Sequence, residues 1–253
     1  MTGMNLLQEQ VFWEIHSDNP REGPGSFEST RKAFSMLQGL PAIPQIMDVG
    51  CGPGKQTIDL ATICNGIIHA VDFYQPFLDR LQEKAKRLSL SERIHVHRCD
   101  MNLLPFESGT FDLIWAEGSI YIIGFEKGLL NWKRYLKPGG YIAATEVSWL
   151  QDDPPGELSD FWHQNYPAMQ DIAGNLSIIE KAGYKVAGFF TLPESDWWED
   201  YYDHIEGKIR QLETRYAHNE TALKVLDIEK QEIDLFRKYG SYYGYVFYVV
   251  QSQ

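Results

Sequence analysis

Ile46-Met47-Asp48-Val49-Gly50-Cys51-Gly52-Pro53-Gly54 is an apolar run that ends in an acid and breaks into a glycine-spaced turn. It reads as the last residues of a buried strand followed by a ligand loop, because glycine takes positive φ without strain and lets backbone approach a bound molecule. Lys55-Gln56-Thr57-Ile58-Asp59-Leu60 then opens a helix, whose first N–H groups have no partner within the helix and point back at the loop. Spacing narrows the ligand. A Walker-type phosphate loop needs glycine where Val49 stands and Ser or Thr where Gln56 stands. A dinucleotide fingerprint wants its third Gly or Ala at the place of Lys55, which leaves NAD in second position.

Two further runs end in acids. Gly66-Ile67-Ile68-His69-Ala70-Val71-Asp72 closes about 20 residues beyond the loop, where a carboxylate can accept both ribose hydroxyls. Arg93-Ile94-His95-Val96-His97-Arg98-Cys99-Asp100-Met101 alternates like a strand and places Asp100 to accept from an adenine amino group, with Phe73 and Met101 to sandwich the ring. An adenosine with an amino-acid head and no phosphate suits this acid-x-Gly-x-Gly-x-Gly order, and S-adenosylmethionine is such a ligand.

Periodicity predicts helices over 26–40 and 54–64 around strand 1, strand 2 over 66–72, a helix over 74–88 and strand 3 over 93–99. Strand 4 follows over 110–116, a helix over 124–136, and strand 5 over 140–147. This βα alternation argues for an α/β, doubly wound, mostly parallel sheet. Ligands of such sheets sit outside the carboxyl ends of the strands, where Gly50, Asp72, Asp100 and Glu117 all fall.

At this point the motifs resemble a known family. Asp48 to Gly54, Asp72, Asp100-Met101, Leu104-Pro105-Phe106 with Gly109-Thr110-Phe111-Asp112-Leu113-Ile114, and Leu136-Lys137-Pro138-Gly139-Gly140-Tyr141-Ile142 stand in the order found in class I S-adenosylmethionine-dependent methyltransferases. The likeness covers about residues 40–150, and within the family the chain is similar to small-molecule enzymes of the ubiquinone/menaquinone-biosynthesis type. A narrower likeness, through Ala116 to Glu126, Leu192-Pro193-Glu194, Trp198 to Tyr202 and Tyr242 to Tyr248, joins it to bacterial and archaeal methyltransferases of unnamed acceptor. The resemblance implies a seven-stranded Rossmann-like sheet whose last strand, 242–250, runs antiparallel between strands 5 and 6. It also implies that Glu117 abuts the methionine end of the cofactor, holding its amino group or serving as a base toward the acceptor. Tyr121, four residues on, would line the acceptor pocket or pack.

The remainder reads as cover. Asp152-Asp153-Pro154-Pro155-Gly156 is a loop, a helix spans about 157–166, Leu176 to Ala182 runs into a strand near 184–191, and an aromatic, acidic helical block fills 196–239. Trp149, Trp162, His163, Tyr166, Trp197, Trp198, Glu199, Tyr201 and Tyr202 can either cage a cationic or ring-bearing acceptor or pack lid against core. His163 is the histidine there suited to general-base work. The first 40 residues, with Phe12, Trp13 and the Gly23-Pro24-Gly25 break, read as a second piece of the cover. The expected organisation is one domain over 1–253: an N-terminal helical cover over 1–40, a cofactor-binding core over 41–150, and a C-terminal half over 151–253.

Composition sets the outer limits. An apolar fraction of 43 % supplies a core, and a formal net charge of −12 offers no basic face for nucleic acid. Cys51, Cys64 and Cys99 form neither a disulfide framework nor metal-ligand spacing, and His95 and His97 read as packing or surface, so no metal is expected. No run approaches the roughly 18 apolar residues of a membrane span, and Met1 to Gln10 has no leader character. The expectation is a cytoplasmic enzyme transferring the S-adenosylmethionine methyl group to a small-molecule acceptor, with no nucleic-acid or membrane partner and a homodimer left open. Cofactor contacts are assigned to Asp48, Gly50, Gly52, Asp72, Phe73, Asp100, Met101 and Glu117, and catalytic roles to Glu117, Tyr121 and His163. A noncatalytic adenosyl-cofactor binder and a nicotinamide oxidoreductase are the competing readings.

Overall fold

The computed structural model describes residues 5–253. The first four residues of the N-terminal cover lie outside the described residues. Eight strands form one sheet: β1 Gln45–Val49, β2 Ile67–Asp72, β3 Ile94–Arg98, β4 Phe111–Ala116, β5 Leu136–Trp149, β6 Gln170–Asp171, β7 Tyr184–Thr191 and β8 Tyr243–Ser252. Their order is β3-β2-β1-β4-β5-β8-β7, with the two-residue β6 beside the end of β5. β1 to β5 pair in parallel, and β8 pairs antiparallel with both β5 and β7. The sheet is thus the doubly wound, mostly parallel one expected, with its last strand inserted where the resemblance places it. Central strands read as continuous apolar runs because both faces are covered. Ile46, Leu113, Trp115, Ala143 and Phe247 fill one face, and Met47, Ile114, Ile142, Val246 and Tyr248 the other.

The helices are α1 Leu6–His16, α2 Phe27–Phe34, α3 Lys55–Ile63, α4 Gln75–Arg87, α5 Phe125–Trp132, α6 Gly156–Asn165, α7 Ile172–Lys181, α8 Ser195–Trp197, α9 Asp203–Arg215 and α10 Glu220–Tyr239. Local chemistry moves several boundaries away from their sequence-based positions. β5 begins at Leu136 rather than 140, because pairing with β4 resumes on both sides of an irregularity between Phe111 and Leu113 that absorbs Pro138 and Gly139. α7 begins at Ile172 rather than Leu176, since the Asp171 side chain caps it by accepting the Gly174 N–H at 2.6 Å. The 196–239 block is broken twice: a π-helical turn covers Trp198–Tyr202, and Asn219 caps a separate α10 by accepting the Ala222 N–H at 3.1 Å.

α1 packs against α9 and α10, so the N-terminal cover and the lid form one layer over the carboxyl end of the sheet. His69 and His97 face each other across β2 and β3 with ring nitrogens 3.0 Å apart, packed edge-on against Phe106. Burial and the neighbouring imidazoles push His69 down to about 4, so this pair stays neutral.

Candidate active site

The turn after β1 folds back on β2. The Gly50 and Cys51 N–H groups donate to the Val71 carbonyl at 2.8 and 2.9 Å, and the Gly52 N–H donates to Asp72 Oδ2 at 3.0 Å. Gly50 sits at φ +72, and a Cβ there would lie 2.4 Å from Ser119 Cβ, so no side chain fits. Gly54, at φ +83, has a different reason: its Cβ would strike Leu81 of α4 at 2.3 Å. The first glycine lets Ser119 pack against the loop, and the third lets α4 pack beneath it. α3 starts at Lys55 with no side chain capping its N-terminus.

Asp72 Oδ1 accepts from the Tyr74 N–H at 2.9 Å, so this carboxylate holds both the loop and the turn after β2. Burial pushes its carboxyl upward, against these backbone bonds. Asp100 is exposed at the end of β3, where the Asn102 backbone and side-chain amides donate to Oδ1, both at 2.8 Å, and hold its carboxyl below the usual range. Phe73 is half exposed, and the Met101 methyl lies on the Gly50 side of the crevice. Asp48 sits lower, fully buried under the loop, where Thr57 of α3 donates to Oδ2 at 2.5 Å. Burial pushes Asp48 up to about 7.

Glu117 lies just past β4 and is already engaged on both oxygens. Arg21 Nη1 donates to Oε2 at 2.7 Å, while Thr30 Oγ1 and the Trp115 indole donate to Oε1 at 2.7 and 2.8 Å. The other arm of Arg21, Nη2, donates to Asp59 Oδ2 at 3.0 Å, and Lys55 Nζ also reaches Asp59 at 2.8 Å. Arg21 is 2 % exposed, and its Nε has no partner. A pocket lies between this guanidinium, Glu117 and the Gly50–Gly52 backbone. Sequence reasoning missed Arg21. Its signal was a lone cation immediately before the Gly23-Pro24-Gly25 break, in a segment read only as cover.

Tyr121 lies on a single 3-10 turn over Ile120–Ile122 and keeps 40 % of its surface accessible. Its phenol is pushed up to about 12, first by the surrounding protein and then by the carboxylates of Glu232, Glu229 and Glu146. The Tyr166 ring stands edge-on to it at 6.0 Å and donates its hydroxyl to Glu146 Oε1 at 2.6 Å. Glu146 is pushed up to about 8 by burial, against the Tyr166 bond. On the lid side, Tyr202 donates to Glu232 at 2.8 Å, and burial followed by the neighbouring Glu229 pushes Glu232 up to about 7. His16 lies between Glu22 at 2.9 Å and Glu229 at 3.5 Å. Burial alone would lower its pKa, but the bonds to these two carboxylates more than offset it and push it up to about 10, so it is an imidazolium.

The structure brings Gly50, Gly52 and Glu117 together around one pocket, pairs Asp72 with the Gly52 N–H, sets the Met101 methyl near Gly50, and leaves Phe73, Asp100 and Tyr121 exposed past the ends of β2, β3 and β4. It does not bring His163 there. α6 turns Leu158 and Phe161 inward, leaving His163 exposed with Ser159 Oγ at 3.2 Å from Nδ1. Much of the aromatic set packs: Trp197 stacks on Phe236 at 4.2 Å and on Tyr245 at 5.3 Å, and Trp162 stands edge-on to Tyr243 at 5.1 Å. Among the described residues no group of three or more His, Cys, Asp or Glu is placed to hold a metal ion. No helix among them is long and apolar enough to cross a membrane.

Residues 46–140 match the methyltransferase domain family model. The chain is 28 % identical over 206 residues to the biotin biosynthesis bifunctional protein BioHC of Teredinibacter turnerae, which covers 73 % of this chain and 33 % of that protein. It is 28 % identical over 162 residues to the demethylmenaquinone methyltransferase of Lactiplantibacillus plantarum, 60 % of this chain and 64 % of that one. The chain therefore spans between a third and two thirds of these relatives. A SAM-dependent methyltransferase from Geobacter sulfurreducens, solved with S-adenosyl-L-homocysteine, superposes with a TM-score of 0.82 at 19 % identity, covering 96 % of this chain and 98 % of its own. The matched segment runs from the glycine loop through the start of β5, and the superposition extends the fold over the cover and lid. Residues 46–140 are thus similar to the methyltransferase domain family, and the chain as a whole shares the fold of the SAM-dependent methyltransferase it superposes on.

Proposed function

We propose that this protein transfers the methyl group of S-adenosylmethionine to a small-molecule acceptor, with residues 1–253 acting as one domain whose N-terminal cover and lid enclose the acceptor. The observation that carries the reading is the pairing of Asp72 with the Gly52 N–H beside a pocket walled by Gly50, Glu117 and Arg21. The residues fit the cofactor: the guanidinium beside the pocket has an unpartnered Nε, buried and free to meet an anionic group. Asp72 would accept the ribose hydroxyls, Asp100 the adenine amino group, and Phe73 and Met101 would cover the ring. Arg21 would meet the methionine carboxylate and Glu117 the amino group. Asp48 would act from below by holding α3 against the loop.

When bound, the cofactor supplies a methyl group on a sulfonium, already an excellent leaving group. The chain's task is to align the acceptor, exclude water and keep the pocket walls rigid. Glu117, held by Arg21, Thr30 and Trp115, is a positioning group rather than a free base. Tyr121, with its phenol raised, stays protonated near neutral pH and can donate a hydrogen bond. The net charge of −12 favours a small acceptor over nucleic acid, and three free cysteines fit the reducing cytoplasm.

Thermal unfolding with S-adenosylmethionine, S-adenosylhomocysteine, NADH and ATP in parallel tests the reading. A ligand at 100 times its Kd stabilises by about 2.7 kcal/mol, roughly 5–10 °C for a chain of this size. A shift with the two adenosyl ligands, together with S-adenosylhomocysteine release in an acceptor screen, is expected. A shift with NADH alone overturns the proposal.

A further inference from the structure

Beyond Glu117, where the sheet meets the lid, two acidic side chains stand without a cation of their own among the described residues. Glu146 rises from β5, and Glu232 descends from α10 one turn after Glu229. Glu146 is 2 % exposed; one oxygen takes the Tyr166 hydroxyl and the other has no partner. Among the described residues no salt bridge reaches Glu146 or Glu232. The nearby cation, His16, is committed to Glu22 and Glu229.

The surrounding protein, with both acids adding to it, raises the phenols of Tyr121 and Tyr245, and the Tyr166 hydroxyl donates to Glu146. Tyr121 remains 40 % accessible, Tyr166 stands edge-on to it at 6.0 Å, and Tyr245 is 9 % exposed on β8. The raised carboxyls of Glu146 and Glu232 are the mark of acids kept from water without a countercharge. Electron-rich ring faces with buried, half-satisfied carboxylates attract a cationic nitrogen and repel an anion.

We infer that the acceptor carries a cationic nitrogen, held between sheet and lid by the rings of Tyr121, Tyr166 and Tyr245 with Glu146 and Glu232 as its countercharges. This rests on the methyl-transfer reading above. It extends that reading from a small molecule to one that carries an organic ammonium as its binding group, the methyl going to a separate atom with a lone pair as the methyl–sulfur bond breaks.

The test is calorimetric titration of the full chain, first with S-adenosylhomocysteine and then, with that ligand saturating, with choline and its neutral isostere 3,3-dimethylbutan-1-ol. Choline is expected to bind about tenfold or more tightly than the isostere. Glu146→Gln and Glu232→Gln should each shrink that ratio severalfold while leaving S-adenosylhomocysteine affinity unchanged. Equal affinities, tighter binding of the isostere, or no choline binding at millimolar concentration overturns the inference and leaves methyl transfer standing. Failure of S-adenosylhomocysteine itself to bind overturns both. Because the choline ratio is read on the unaltered protein, the result does not depend on either variant folding.

Discussion

Replacing Arg21 by methionine keeps the bulk of its stem and deletes the guanidinium that ties the N-terminal cover to Glu117, past β4, and to Asp59 of α3. The Arg21 side chain and its partner Glu117 are each 3 % exposed, and Asp59 is 9 % exposed, so solvent cannot take over the lost charge. Breaking a buried ion pair from one side costs about 3–5 kcal/mol, because the remaining charge is stranded. Two features place this site at the lower end. Lys55 still neutralises Asp59 at 2.8 Å, and Glu117 still receives Thr30 and Trp115. A loss of about 3 kcal/mol is expected, roughly 6–12 °C in Tm. Urea unfolding should show a lower midpoint with an unchanged slope. The double variant Arg21→Met with Glu117→Gln removes the stranded charge and should recover about 1–2 kcal/mol relative to Arg21→Met alone. S-adenosylhomocysteine affinity, measured well below the midpoint, should fall about tenfold or more in Arg21→Met, since the guanidinium walls the pocket. A stability loss below about 1 kcal/mol, or a strictly additive double variant, would refute the argument that Arg21 and Glu117 act as a buried pair.

Gly50→Ala, whose Cβ would sit 2.4 Å from Ser119 Cβ at φ +72, should destabilise by about 1–3 kcal/mol and abolish S-adenosylhomocysteine binding by calorimetry. Asp72→Asn keeps one acceptor oxygen where two backbone N–H groups, of Gly52 and Tyr74, need one each, so it should lose about 1–3 kcal/mol in urea unfolding and about tenfold in cofactor affinity by calorimetry. For pH, Glu146 has a folded pKa raised to about 8 against an ordinary 4.5, so its protonated form is favoured in the native state. Its contribution is fully present below about 4.5 and lost as pH rises through about 8. Tm should therefore decline between pH 5 and 8.5, less steeply in Glu146→Gln, and a flat wild-type profile would contradict the assignment. His163→Ala, on the exposed side of α6, should leave both Tm and methyl transfer unchanged in melting and turnover assays.

What the sequence made legible is what is local. Gly50, Gly52 and Asp72 fall within one strand-turn-helix-strand unit, so their spacing encodes their geometry, and the pairing of Asp72 with the Gly52 N–H follows from it. Arg21 acts across 96 positions on Glu117, and nothing in its neighbours marks that partner. Glu146 sits inside an apolar strand and Glu232 inside an acidic amphipathic helix, where each reads as an ordinary member of its pattern. Only the stacking of lid on sheet sets them facing the same tyrosines. His163 erred for the opposite reason: its residue type suits proton transfer, but the helical phase of Leu158 and Phe161 turns it to solvent. The early end of α2, the bulge in β5 and the π turn at Trp198–Tyr202 are decided by pairing and packing, to which local propensity is blind.

The antiparallel insertion of β8 has a consequence for how such a protein can change over time. The lid leaves the sheet after Thr191 and returns at Tyr243, on two strands that are hydrogen-bonded neighbours, with the Leu192 N–H donating to the Tyr245 carbonyl at 2.9 Å across the gap. Residues 192–242 are thus an insert at the tip of a hairpin, its two ends pinned side by side. Doubling the length of such a closed excursion costs only about 0.6 kcal/mol in chain entropy. Evolution, or a protein engineer, can exchange this cassette for another while the hairpin keeps its register, provided the new one still seats the N-terminal cover, whose Gly25 N–H donates to the Asp196 carbonyl at 3.0 Å.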